Sequence, residues 1–189
     1  MKTLPGTLAL ALLLAGCDST PLEQHEYLLR PQKLEVVSGG GRSAVLLKPV
    51  QVAPYLDQSG VVLQTGPAEI RAAKQHRWAE PLDEALGRYL QVGIANAADR
   101  SVETVPITST GDRQKIVISV HQLHGSEDGS VRLVADYVVE NGAGERRLGS
   151  FDERIRQASD GYPALVAAHG SLLDQLSAEI AAALETQDD

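Results

Sequence analysis

Five histidines, scattered carboxylates and one cysteine are the residues of this 189-residue chain with reactive chemistry to offer. His121 and His124 stand three apart in an alternating apolar stretch. On a strand, an odd separation turns two side chains to opposite faces, so the pair is not expected to share a metal ion. His169 falls on the apolar stripe of a C-terminal helix, where a packed or rim imidazole is expected rather than a ligand. His76 adjoins Arg77 and Trp78, a trio suited to contact with a partner. Asp83-Glu84 and Asp152-Glu153 read as solvated surface. A glycosidase needs two carboxylates about 5–9 Å apart, and nothing else in the chain argues for such a pair. The phosphate-cradling Gly-x-x-x-x-Gly-Lys-Ser/Thr and the metalloprotease His-Glu-x-x-His are missing from the sequence. Gly41-Arg42-Ser43 runs into Ala44-Val45 instead of completing a nucleophile elbow. The expectation is a non-enzymatic chain with no catalytic residue, no metal site and no cofactor.

The cysteine does have a chemistry. Lys2, then the apolar, helix-prone stretch Thr7 to Leu14, lead into Leu14-Ala15-Gly16-Cys17. This layout resembles the bacterial lipobox, in which small residues precede a cysteine that is lipidated and becomes the mature N-terminus. Residues 1–16 are therefore expected to be a signal peptide, with Cys17 the lipidation site and residues 17–26 a tether. One acyl chain anchors marginally and two anchor stably; the three of such a lipoprotein hold it on the membrane. Loss of Lys2 makes the mature charge one unit more negative than the −8 of the full chain. The lipid must then supply the membrane affinity.

The remaining composition, 43% hydrophobic and 22% charged, suits one domain, placed at residues 27–185 before an acidic tail, 186–189. Aromatics at 4% imply a core of Leu, Val, Ile and Ala. Net acidity without a long basic cluster argues against a nucleic-acid partner. A single Cys rules out a disulfide scaffold. No apolar run reaches the ~18 residues of a transmembrane helix.

The elements follow from periodicity. Short strands are predicted at Tyr27–Leu29, Ala44–Val52, Val61–Gln64 and Val102–Val105, with Ser38-Gly39-Gly40-Gly41 a loop. Pro49 and Pro54 place the second strand near an edge or at its end. A helix is predicted from about Glu80 to Asn96, with Pro81 in its first turn. In the strand Lys115–Leu123, Ile116, Ile118 and Val120 share a face; in Val131–Val139, Val131, Leu133, Ala135, Tyr137 and Val139 do, with Asp128-Gly129 turning between the strands. Asn141-Gly142 opens a second hairpin, whose return strand is Arg146–Arg156. The last helix starts near Pro163 with Asp160 as N-cap. Its stripe is Leu165, His169, Leu172, Leu173, Leu176, Ile180 and Leu184. The fold expected is α+β, a two-layer sandwich: a mostly antiparallel sheet with two helices packed on one face.

Two further motifs stand in the first half: Lys48-Pro49-Val50-Gln51-Val52-Ala53-Pro54-Tyr55-Leu56-Asp57, and Arg77-Trp78-Ala79-Glu80-Pro81-Leu82 after Gly60-Val61-Val62-Leu63. With the lipobox and the Ala-rich last helix, they resemble the ABC-type transport auxiliary lipoproteins of the PqiC/YmbA type. The resemblance implies an accessory subunit of a lipid transport system working between two membranes and supporting envelope integrity. The partners it implies are an MCE-domain protein spanning the periplasm and an inner-membrane permease; a chain that receives the end of an oligomeric tunnel could match its symmetry as a homo-oligomeric ring. It implies the periplasmic face of the outer membrane. Asp18, directly after Cys17, instead resembles a retention signal for the inner membrane. Tyr55, Leu56, Asp57, His76, Arg77 and Trp78 are the candidate partner-binding residues. Tyr55 and Trp78 also suit plain core packing. The alternatives are a stand-alone periplasmic lipid carrier, which needs an apolar pocket, and a membrane-anchored periplasmic enzyme.

Overall fold

The computed structural model describes residues 23–31, 44–104 and 113–185. The signal peptide, Cys17, Asp18, the glycine loop 38–41 and the tail 186–189 lie outside them. In chain order the elements are β1 (His25–Tyr27), β2 (Val45–Leu47), β3 (Gln51–Val52), β4 (Gly60–Gly66), β5 (Glu69–Trp78) and α1 (Leu82–Ala98). Then come β6 (Val102–Thr104), β7 (Lys115–Ser126), β8 (Ser130–Glu140), β9 (Arg146–Arg156) and α2 (Tyr162–Glu185). A 3-10 turn, Pro54–Leu56, lies between β3 and β4.

The antiparallel meander β7-β8-β9 forms as the alternation predicts, in continuous register from Ser130↔Arg156 to Glu140↔Arg146 on its outer pair. Val131, Leu133, Ala135 and Val139 are fully enclosed. Gly129, at φ +77°, makes the turn into β8, and the Asp128 carboxylate accepts the Ser130 amide at 2.9 Å.

The rest of the sheet departs from the expected antiparallel arrangement. Among the described residues it is a nine-stranded mixed sheet, and β7 is its hub. One edge of β7 pairs β8; the other receives β2, β3 and β4 in turn, all parallel to it. β6 lies parallel to β2, and β1 parallel to β5. Parallel neighbours need crossover connections, and α1 is part of the connection that returns the chain to β6 and β7. Pro49 breaks the predicted strand 44–52 into β2 and β3. β2 is central, not an edge: β6 and β7 flank it, and all three of its side chains are buried. β5, missed by periodicity, pairs with β4 as a hairpin. The first strand begins at His25, two residues inside the expected tether.

α1 starts two residues later than predicted, with Pro81 at the N-cap. α2 buries its entire predicted stripe. Its N-terminal backbone bond runs from Leu165 N–H to the carbonyl of Gly161, a residue at φ +102°, rather than to Asp160. The two helices and the sheet share one hydrophobic core, from Leu29 and Leu56 to Ile180 and Leu184. Among the described residues, no helix is long and apolar enough to cross a membrane.

Candidate functional site

The second motif bonds to Ser59, two residues past the end of the first. The Trp78 amide donates to the Ser59 carbonyl at 2.7 Å, and the Arg77 guanidinium donates to its hydroxyl at 2.7 and 3.1 Å. Pro54, with its fixed φ, starts the 3-10 turn. That turn drives Leu56 into the core, leaves Asp57 exposed and holds Tyr55 half-buried. The Tyr55 hydroxyl donates to the His121 carbonyl at 3.2 Å. Trp78 is buried, its ring 5.8 Å from that of His169. Of the six candidate contact residues, Leu56 and Trp78 therefore face the core. Tyr55, Asp57, His76 and Arg77 reach the surface.

His76 is the centre of a ring stack. Its imidazole lies between His25, at 5.0 Å, and Tyr162, at 3.8 Å, with near-parallel planes. Nδ1 is 2.8 Å from the Tyr27 hydroxyl. Loss of solvent, and then the neighbouring His25, hold its pKa below the usual histidine value. β1 brings His25 and Tyr27 here because His25 pairs with His76 in the ladder. Nothing in the sequence spacing signals this stack.

Tyr55 also fronts a cleft of about 460 Å³, lined with Gln64, Glu69, Ile70, His121, His124 and Arg132 among others. A bulge places it there. Val120 pairs with Ala135 but Gln122 with Val134, so His121 is an extra residue in β7. The bulge shifts the strand's alternation, and both His121 and His124 line the same cleft, contrary to the opposite faces expected from their spacing. They still form no ligand cluster: among the described residues no three His, Cys, Asp or Glu side chains are placed to hold a metal.

Two of the cleft's polar side chains are held by carboxylates outside its lining. His121 Nε2 is 2.8 Å from Asp136, and Arg132 grips Asp152 through two bonds of 2.8 and 2.6 Å. These bonds hold both carboxyl pKa values below the usual range. His124 is buried with Nδ1 unpartnered, and desolvation lowers its pKa. His169 is enclosed with neither ring nitrogen bonded, and burial takes its pKa down to about 3.

The model of the family described as the ABC-type transport auxiliary lipoprotein component matches residues 27–181. The chain belongs to that family. The match covers the body from β1 nearly to the end of α2. Two solved structures share the fold of this family member. One, of an uncharacterized protein, is 26% identical, covers 86% of this chain and 99% of its own, and has a TM-score of 0.74. The other, from Xanthomonas campestris, is 16% identical with the same coverage and a TM-score of 0.65. A curated relative from Sorangium cellulosum, named an ATP phosphoribosyltransferase, is 30% identical over 144 residues, 68% of this chain. This chain spans 65% of that relative's length.

Proposed function

We infer that this auxiliary lipoprotein is a lipid-anchored periplasmic docking subunit, without catalysis of its own, of an MCE-type system that moves lipid between two membranes and supports envelope integrity. The observation that carries the reading is the family match across the body, preceded in the sequence by Cys17 at the end of a lipobox-like segment. Cys17 is the anchor, and the membrane is the outer one, facing the periplasm; Asp18 makes the inner membrane the outcome to exclude. The MCE-domain protein and the inner-membrane permease are its partners. Tyr55, Asp57, His76 and Arg77 form the contact surface, with Leu56 and Trp78 holding it from beneath. The residues beneath belong to one buried hydrophobic cluster shared by both helices and the sheet, which favours docking over carriage of a free lipid.

Site-specific photo-crosslinking in intact envelopes tests this. A crosslinker in place of Asp57 or His76 is expected to capture the MCE-domain protein. Adducts confined to abundant, unrelated envelope proteins would overturn the reading.

A further inference from the structure

The described body begins at Glu23, six residues after Cys17, and runs into β1 parallel to β5. Six residues span at most about 20 Å, so a bilayer holding Cys17 lies close to this side of the sheet. β1 covers only the His76–Trp78 end of β5. Past Glu69, β5 is locally basic. Arg71, Lys74 and Arg77 fall within seven residues that hold no carboxylate, in a chain of net charge −8. Arg71 and Lys74 are exposed. Glu26 stands opposite Arg77 in the ladder, so Arg71 and Lys74 carry most of the positive field. Next to them Ile70 is 44% exposed, one of three large apolar side chains left open among the described residues.

We propose that the outer edge of β5, from Ile70 to Lys74, lies on the headgroups of the anionic bilayer to which the anchor tethers the chain. The inference rests on the anchoring at Cys17 proposed above. Basic side chains near an anionic surface are attracted across a Debye length, and an apolar side chain among them inserts at the headgroup boundary. Once the lipid has fixed the chain to the membrane, this edge sets which way the body faces. The β9 edge strand then turns away from the lipid.

The test uses the full lipidated chain in vesicles of phosphatidylcholine with 30% phosphatidylglycerol, some carrying brominated acyl chains. Lipidation consumes the only cysteine, so one introduced by Ile70→Cys or Leu148→Cys takes a fluorophore uniquely. Bromolipid is expected to quench the Ile70 label at least threefold more than the Leu148 label. Arg71→Gln with Lys74→Gln, or 0.5 M salt, should remove most of that difference. Chain that floats with the vesicles but shows equal quenching, or stronger quenching at position 148, overturns this inference alone. Chain that fails to float overturns the anchor and this inference together.

Discussion

Gly93 of α1 lies directly against Ser177 of α2, so close that a methyl group on Gly93 would stand 3.0 Å from the serine Cβ and closer still to its hydroxyl. That hydroxyl is buried and donates to the Leu173 carbonyl at 2.8 Å, so it has no room to swing aside. The two helices meet at this point because neither residue carries bulk. Gly93→Ala is expected to destabilise the fold by about 1–3 kcal/mol, as overpacking does, despite alanine's better helix propensity. Ser177→Gly in the same chain should recover part of the loss. Urea unfolding of the four variants of the cycle measures both, and a stabilised Gly93→Ala would contradict the packing.

Leu176, on the same helix, is fully enclosed. Leu176→Ala is expected to cost about 2–5 kcal/mol. A loss below 1 kcal/mol by chemical denaturation would mean the stripe of α2 is not in a tight core.

His169 gives the fold a pH dependence of known sign. Its pKa falls to about 3 in the folded chain, from an ordinary 6.5. Above pH 6.5 both states are neutral there and stability is flat. Below it, the unfolded chain takes up a proton that the folded chain refuses. Stability should therefore decline as pH drops from about 6.5 toward 3, by about 2 kcal/mol at pH 5 from this group. Trp78, the only tryptophan, sits beside His169 and reports unfolding by fluorescence. His169→Phe should make the decline shallower, leaving the part that His76 and His124, also held below their ordinary values, contribute with the same sign. Equal stability of the parent chain at pH 7.5 and 5 would refute the assignment.

Cys17→Ser is expected to move the protein from the membrane fraction to the soluble periplasmic fraction. The melting temperature of the body should barely change, because among the described residues the buried core runs from Leu29 to Leu184. Retention on membranes after washing with salt and carbonate would show that something other than acyl chains holds it.

Much of this fold was legible from local pattern, and the reasons differ by element. The meander was readable because β8, and β7 up to Val120, bury one alternating face. α2 was readable because its stripe is long and apolar. β5 was not, because most of its side chains are exposed or half-buried and carry no alternation to find. The parallel pairing of β2, β3 and β4 on β7 was hidden because crossovers set it, not residue pattern. The candidate site was legible only in part. The two motifs were visible, but the bonds from Arg77 and Trp78 to Ser59 and the ring stack on His76 depend on strand register. The bulge at His121 defeated a parity argument that holds only for an unbroken strand.

The central claim is that the chain docks onto a transport assembly. Affinity purification of the lipidated chain from envelopes in a mild, non-denaturing detergent tests it most directly. An MCE-domain protein should come down with the chain in a fixed ratio, and a surface charge reversal such as Asp57→Arg should weaken its capture. Recovery of the chain alone, in detergent that keeps comparable transport complexes whole, would contradict it.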